Sequence, residues 1–308
     1  GKPMKEPQDV PFEKEGQYLK SDNRSNISYF LEHNVLLRRF TLSVGVLANY
    51  NSALNEGIHF YPGIDASYRI GDNVRLYGSW NRALRMPTFT DLYYEGKTNK
   101  GNPDLKPEES EAFEVGLKYN TYFLRAHIAG FYRKGKNMID WVKEKPEDIW
   151  ESQNLTKVDN LGFETNLSLL PRELGNERFF IRKIELGYAF IHQDKDSEGY
   201  ISNYALDYLK HKFTAQLSHS IWKGFSATWY VRWQDRAGSY TKYENLKPAY
   251  EEPYAPYCLV DMKVNWEYQR LNLYAELNNL LNSTYYDLGN IPQPGIWFKA
   301  GFRYSFKY

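Results

Sequence analysis

The chain has 308 residues, a formal net charge of +1 at neutral pH, 42% hydrophobic and 17% aromatic residues, and a mean hydropathy of -0.67. Near-neutral charge gives no support to nucleic-acid binding, which needs a basic excess gathered on one face. The single cysteine, Cys258, excludes an internal disulfide framework and a paired-cysteine metal or redox site, and no run approaches the roughly 18 apolar residues of a membrane-spanning helix.

That last absence leaves a membrane β-barrel open, because alternating strands average out as hydrophilic. Tyrosine is the outlier, with 27 copies in so polar a chain. Tyr and Trp suit places where one end of a ring is wet and the other greasy, membrane-interface belts among them. The start is polar and holds no hydrophobic leader core. Residues 1–25 therefore read as a polar leader or extracellular loop segment, with an export signal expected upstream, and residues 26–308 as one unit of strands.

From about residue 26 onward, apolar and polar positions alternate in segments of about ten residues, the period-two mark of strands. In chain order the first apolar faces are Ile64, Ala66, Tyr68 and Ile70, then Val74, Leu76, Gly78 and Trp80, then Phe113, Val115, Leu117 and Tyr119, then Leu124, Ala126, Ile128 and Tyr132. Phe163, Leu167 and Leu169 follow, then Ile184, Leu186, Tyr188 and Phe190, then Phe213, Ala215, Leu217 and Ile221, then Phe225, Ala227, Trp229, Val231 and Trp233. The closing segments carry Cys258, Val260, Met262, Val264 and Trp266, then Leu271, Leu273, Ala275 and Leu277, and finally Ile296, Phe298, Ala300, Phe302, Tyr304 and Phe306. No Lys, Arg, Asp or Glu falls on these faces. The opposite faces hold many, including Arg69, Arg75, Glu114, Lys118, Arg125, Glu164, Lys183, Glu185, Lys212, Arg232 and Arg303.

A soluble β-sandwich also alternates, but it buries its apolar faces against a second sheet. A transmembrane barrel turns them to lipid and lines a wet interior with the polar ones. Tight links near 37–39, 71–72, 120–121, 223–224 and 269–270, and a longer one at 171–178, alternate with loops at about 83–108, 134–158, 192–208, 235–255 and 282–295. Short periplasmic turns and long extracellular loops are the habit of outer-membrane barrels. Trp80, Tyr132, Trp233, Trp266 and Tyr304 fall near strand ends and fit interface girdles. The fold expected is all-β, an antiparallel transmembrane β-barrel with about 13–14 strands in this chain. An odd count implies strands upstream, unless residues 10–20 add one and close a barrel of about 14 strands.

Two stretches resemble a known family. Arg85-Met86-Pro87-Thr88 through Asp91-Leu92-Tyr93, then GNPDLKPEES at Gly101 to Ser110 and the strand EAFEVGLKY, resemble the signature of TonB-dependent outer-membrane receptors. LNNLLNSTYYDLGNIPQPGIWFKAGFRYSF, Leu277 to Phe306, resembles that family's closing hairpin. Read physically, Pro103 and Pro107 set where a loop descends into a strand, placing Glu108, Glu109 and Glu111 at the wet mouth. The resemblance implies a barrel of about 22 strands in all, a plug domain and a short N-terminal box that binds the TonB complex; neither plug nor box is found in residues 1–25. It also implies that Gly301, Tyr304 and Phe306 serve as the signal read by the barrel-assembly machinery. The function implied is capture and import of a scarce chelated nutrient, a ferric siderophore, cobalamin or haem, across the outer membrane.

Six histidines, at 33, 59, 127, 192, 211 and 219, show no ligand-like helical pair or Cys partner, and no Walker loop, GxGxxG or GxSxG occurs. Neither an enzyme nor a resident cofactor or metal is therefore expected. Specificity is expected in the loops, where Tyr93, Tyr94, Asn99 and Asn102, then Trp141 and Trp150, then Tyr240, Tyr243, Tyr250 and Tyr254 offer broad, stiff surfaces for a large planar ligand. The expected surroundings are outer-membrane lipid and a small chelated ligand, with no nucleic acid. The alternatives are a passive channel closed by about 14 strands and a soluble sandwich module for carbohydrate binding or adhesion.

Overall fold

A computed structural model describes residues 23–52, 57–145, 147–175, 178–196, 199–202, 208–244, 247–289 and 291–306. The main path is 13 strands, each hydrogen-bonded antiparallel to the next in chain order, with two short strands attached at its side. They are β1 (Asn26–Leu36), β2 (Phe40–Asn51), β3 (Ile58–Arg69), β4 (Val74–Arg85), β5 (Glu108–Asn120), β6 (Leu124–Lys143) and β7 (Trp150–Leu169). The path continues through β8 (Ile181–Asp196), β9 (Tyr208–Ser220), β10 (Phe225–Ala237), β11 (Tyr257–Tyr268), β12 (Leu271–Asn278) and β13 (Trp297–Tyr304). At one end the links are short. Lys223 and Gly224 in one turn and Gln269 in another take positive φ, as tight hairpin turns require.

The two faces separate as the alternation predicts. Val115, Ile128, Leu186, Phe298 and Phe302 are 63%, 51%, 43%, 61% and 73% exposed, each within a stretch of its face whose flanking same-face neighbours are uncharged. Large apolar side chains left open on strand after strand have no second sheet to pack on, which rules out the sandwich architecture. Their natural cover is lipid. The described buried core is correspondingly small, Val142 and Val158 with Met138 and Tyr200 packed against them, and it lies at the loop end.

Aromatic side chains gather in two belts on the apolar face. Toward the loops, Phe163, Tyr188, Phe190, His211 and Trp233 form a chain of ring contacts, and Trp80 meets Phe113. At the short-turn end, Tyr122 meets Phe123, Phe179 meets Phe180, Trp266 stacks on Tyr268 and Tyr304 meets Phe306. Paired aromatic belts flanking an apolar band mark the two interfaces of a bilayer.

The polar face is the concave one. Lys118, His127, Asn166, Gln216, Arg232 and Asp261, contributed by strands from β5 to β11, border one cavity of about 640 Å3. Its charges pair both along and across strands: Lys183 with Glu185 on β8 at 2.7 Å, and Lys263 on β11 and Lys299 on β13 with Glu276 on β12 at 2.8 and 2.6 Å. Tyr77 donates to Glu114 at 2.7 Å and lies 2.7 Å from a ring nitrogen of His127. Cross-strand glycines make room for such rings. A Cβ on Gly116 would stand 2.5 Å from the Tyr77 ring, and one on Gly301 would stand 2.5 Å from the Tyr274 hydroxyl. Gly301→Val should therefore cost about 1–3 kcal/mol by overpacking, seen as a lower urea midpoint of the folded receptor in vesicles; relief of that loss by Tyr274→Ala would identify the ring as the obstacle, and no relief would refute it.

The sheet does not close on itself. β1 and β13 each pair on one side alone among the described residues, so the barrel of about 14 strands is not what these residues form; residues 10–20, proposed to complete it, lie outside the described residues. One loop expectation also changes. The stretch at about 134–158 is mostly hairpin, because β6 and β7 keep their register from Leu124↔Leu169 up to Val142↔Glu151. Strands of 20 residues each overrun the roughly 9–11 needed to cross the bilayer, so their upper halves stand clear of it.

Candidate functional site

The loop end holds the candidate site, and its first part is built by the segment between β4 and β5. Helix α1 (Phe89–Tyr93) starts at Thr88, whose side chain caps Asp91 while Asp91 caps Thr88 in return. Gly101 and Asn102 then fold back over the end of α1, donating from their backbone to Tyr94 O at 2.6 Å and Asp91 O at 2.9 Å. Asn102 Oδ1 accepts from Asp104 N at 2.9 Å, so that side chain closes its own turn. Asn99 pairs in parallel with Trp150 on β7.

Where the segment rejoins the sheet, Arg85 and Glu108 stand directly opposite. Arg85 donates to Glu108 through both Nε and Nη2, the latter at 2.6 Å, and Ile139 N adds a third donor at 2.8 Å. Glu108 is 7% exposed, which corrects its expected position at the wet mouth: a carboxylate with three donors is stable away from water. One sequence motif carries both residues, and their pairing depends on the register that sets β4 against β5.

Six of the ten aromatic and amide candidates belong to this part. Trp141 is buried and meets Tyr94 edge-on at 6.3 Å, while Tyr94 is itself 51% exposed. Tyr93 stacks on Phe89 at 6.3 Å, and Lys143 lies over the Trp150 ring at 4.5 Å. Tyr94 is thus the broad open ring of the group, and Asn99 and Asn102 hold the loop's shape.

The second part lies farther along the sheet, where residues 239–244 and 247–253 form a hairpin between β10 and β11. Tyr240 and Tyr254 are buried, in contact with each other at 5.1 Å, and Tyr240 stacks on Tyr286 at 5.2 Å. Arg236 lies over Tyr254 at 4.9 Å. These rings weld the hairpin to the last loop, while Tyr250 is 52% exposed. Tyr243 occupies a strand position opposite Pro248. Tyr285 and Tyr286 join this group from outside the sequence candidates, and the YY pair in YYDLGN is the signal that marks them. No ring contact joins the Tyr94 group to the Tyr240 group among the described residues.

Electrostatics in this hairpin follow from close pairing. Lys242 and Tyr240 both donate to Glu252, and the lysine chiefly, then the tyrosine, holds its carboxyl below the ordinary value of 4.5. Lys242 is raised by the same hydrogen bond, and Tyr240 is raised first by burial and then by its bond to Glu252. A folded carboxyl pKa below the unfolded one stabilises above the unfolded value, and the gain vanishes as pH falls through the folded one. Amides of the hairpin should therefore exchange faster, after correction for intrinsic rates, below pH 4.5 than at neutral pH; Glu252→Gln should abolish that dependence.

The closing motif is also structural. Asn279, 3% exposed, accepts from Ser283 N at 2.9 Å and donates to Ser283 O and Pro294 O, and Asn282 Oδ1 accepts from Ile296 N at 3.0 Å. Downstream, Gly301 lies beneath Tyr274, while Tyr304 and Phe306 project from the short-turn end, 48% and 77% exposed. Among the described residues, no three His, Cys, Asp or Glu converge to hold a metal ion.

Known proteins resemble this chain in sequence and fold. Residues 6–280 match a family model described as TonB dependent receptor-like, beta-barrel. The vitamin B12 transporter BtuB of Vibrio vulnificus is 25% identical over 191 residues, covering 56% of this chain and 30% of that protein. The ferrienterobactin receptor of Escherichia coli K12 is 22% identical over 297 residues, covering 87% and 38%. Among solved structures, the ferric enterobactin receptor PfeA of Pseudomonas aeruginosa, as its G324V mutant, superposes with a TM-score of 0.71 at 19% identity, over 94% of this chain and 46% of that one. The chain thus spans about a third of the curated relatives it matches and just under half of the solved structures. With lipid-facing strands, a polar bore and this match over most of its length, the chain belongs to the TonB-dependent receptors of the outer membrane and forms a portion of their β-barrel.

Proposed function

We propose that the whole receptor imports a scarce chelated nutrient, and that this chain supplies the closing part of its barrel together with half or more of its ligand-catching loops. The observation that carries the reading is the pairing of a polar, concave wall with tall aromatic loops at one end only. Residues 26–308 would complete a barrel of about 22 strands, with residues 1–25 in the loop before β1. Corrinoids and ferric siderophores are the favoured cargo, because relatives on the same fold are named for vitamin B12 and ferric enterobactin. Tyr94 and Tyr250 would touch the ligand first, as the open rings of their groups; Tyr93, Trp141, Trp150, Tyr240, Tyr243 and Tyr254, with Asn99 and Asn102, would shape the surface behind them.

The partners proposed are the TonB complex, reached through a box outside this chain, the barrel-assembly machinery acting on Gly301, Tyr304 and Phe306, and outer-membrane lipid. Catalysis has no part in this reading. A panel of labelled corrinoids and ferric siderophores, offered to cells with and without TonB, tests it. One member should bind saturably to both, and enter only the cells that have TonB. Steady ion conductance by the purified receptor in a planar bilayer would instead favour the passive channel. Tyr94→Ala with Tyr250→Ala should weaken binding about tenfold or more, as expected when aromatic anchors are truncated, and an unchanged affinity would remove both from the site.

A further inference from the structure

At the short-turn end of the bore the pairing of charges breaks down. Arg69 on β3 stands directly opposite Arg75 on β4, and Arg75 directly opposite Lys118 on β5. All three lie on the polar face, and Arg125 on β6 follows one position lower, opposite Asn120. Like charges in directly opposed positions repel. Elsewhere on this face lysines meet carboxylates across the strands, as where Lys263 and Lys299 share Glu276. Here, among the described residues, no carboxylate closes on Arg69, Arg75 or Arg125, and Lys118 rests only over the Tyr77 ring at 4.5 Å. Arg69, Arg75 and Lys118, with Asp72, Asn73 and Asn120, border a cavity of about 330 Å3. Asp72 is the single acid in that lining, and it makes no ion pair among the described residues.

We infer that this row is a binding site for a multivalent oxyanion. Side chains opposed across neighbouring strands stand about 5 Å apart, so three of them in a row offer charge over about 10 Å, more than one carboxylate or phosphate covers. Two guanidinium groups present planar forks suited to two separate oxyanions, and the two asparagine amides at the rim add neutral donors. A ligand with two or more acidic groups thus meets matched donors at once and offsets the repulsion within the row. Those acidic groups come either from a free polycarboxylate or polyphosphate in the bore, or from acidic side chains of a polypeptide segment seated there. The inference rests on the bore being wet, which the fold establishes, and not on which nutrient is imported.

Arginine chemistry tests it without changing the sequence. The natural gene product, purified from outer membranes in detergent at low salt, is treated with phenylglyoxal, and the rate at each arginine is read by mass spectrometry. Arg38 and Arg270, exposed in turns at the same end, serve as references. The non-chelating tricarboxylate tricarballylate is the probe. A free-anion site predicts that Arg69 and Arg75 become at least about tenfold slower than the references when tricarballylate is added, as a charge-assisted bidentate contact requires. Occupation by acidic side chains predicts the same slowing without any probe, lost near 1 M salt, where screening acts within about 3 Å. Rates equal to the references in every condition overturn the site, and so does slowing indifferent to both probe and salt, which is steric cover alone. The assay reads no uptake, so its failure leaves the import reading untouched.

Discussion

Leu186→Arg is expected to destabilise the membrane-embedded receptor by about 1–3 kcal/mol, whereas Gln216→Arg should change its stability by less than about 0.5 kcal/mol. The two positions lie on adjacent strands: Leu186 pairs with Ala215, and Gln216 pairs with Glu185. Leu186 is on the apolar face, 43% exposed, between the two aromatic belts and two residues inside Tyr188 of the loop-end one, where hydrocarbon offers a guanidinium no partner. Gln216 faces the bore, where a new arginine finds water and the Glu185 carboxylate opposite. Urea titration in lipid vesicles, with gel mobility of the unheated protein as a check on insertion, reads both variants. Equal losses at the two positions would mean that the greasy stripe does not face acyl chains, and the membrane assignment would fall with it.

That contrast is available because period-two alternation is so legible in sequence. Each apolar stripe read along the chain, from Ile64 and Ala66 to Phe298 and Phe302, lies on one face, because a strand has no other way to distribute its side chains. Turn positions were legible for a similar reason: Lys223-Gly224 and Gln269-Arg270 interrupt the alternation where the backbone must take positive φ. Strand length was less so. Alternation weakens once β6 and β7 rise above the bilayer, since both faces are then wet, and their upper hairpin reads as loop although its ladder continues to Val142 and Glu151.

The loops were legible as a set of aromatics and not as individuals. Nothing local separates Tyr250, left open, from Tyr240 and Tyr254, which are buried by Tyr286 and Arg236 from other segments. The same holds for charge. Glu108 and Glu109 are neighbours in one motif, yet the first is buried against Arg85 and the second is open, 3.7 Å from Arg82. Both outcomes depend on which residue lies across the sheet, and that is information about pairing that a single strand does not carry.

Gly101→Ala should separate the site from the barrel. The added Cβ would stand 2.8 Å from Leu92 C and Tyr93 N and 2.9 Å from Asp91 O, and these are backbone atoms of α1 that no rotamer change can move. Either the helix or the segment carrying Asn99 and Asn102 has to shift, at about 1–3 kcal/mol, and the bonds from Gly101 to Tyr94 and from Asn102 to Asp91 go with it. Tyr94 and its edge contact with Trp141 then lose their support, so affinity for the cargo should fall about tenfold or more. The lipid-facing strands are untouched, so insertion and the urea midpoint of the barrel should stay at wild-type values, while limited proteolysis should find new cuts between Phe89 and Lys106. A variant that binds like wild type with its loop intact would show that the close approach over α1 is not needed to hold the open ring in place. A variant that fails to insert would show instead that this loop junction helps to set the pairing of β4 with β5, through the Arg85 and Glu108 contact beneath it.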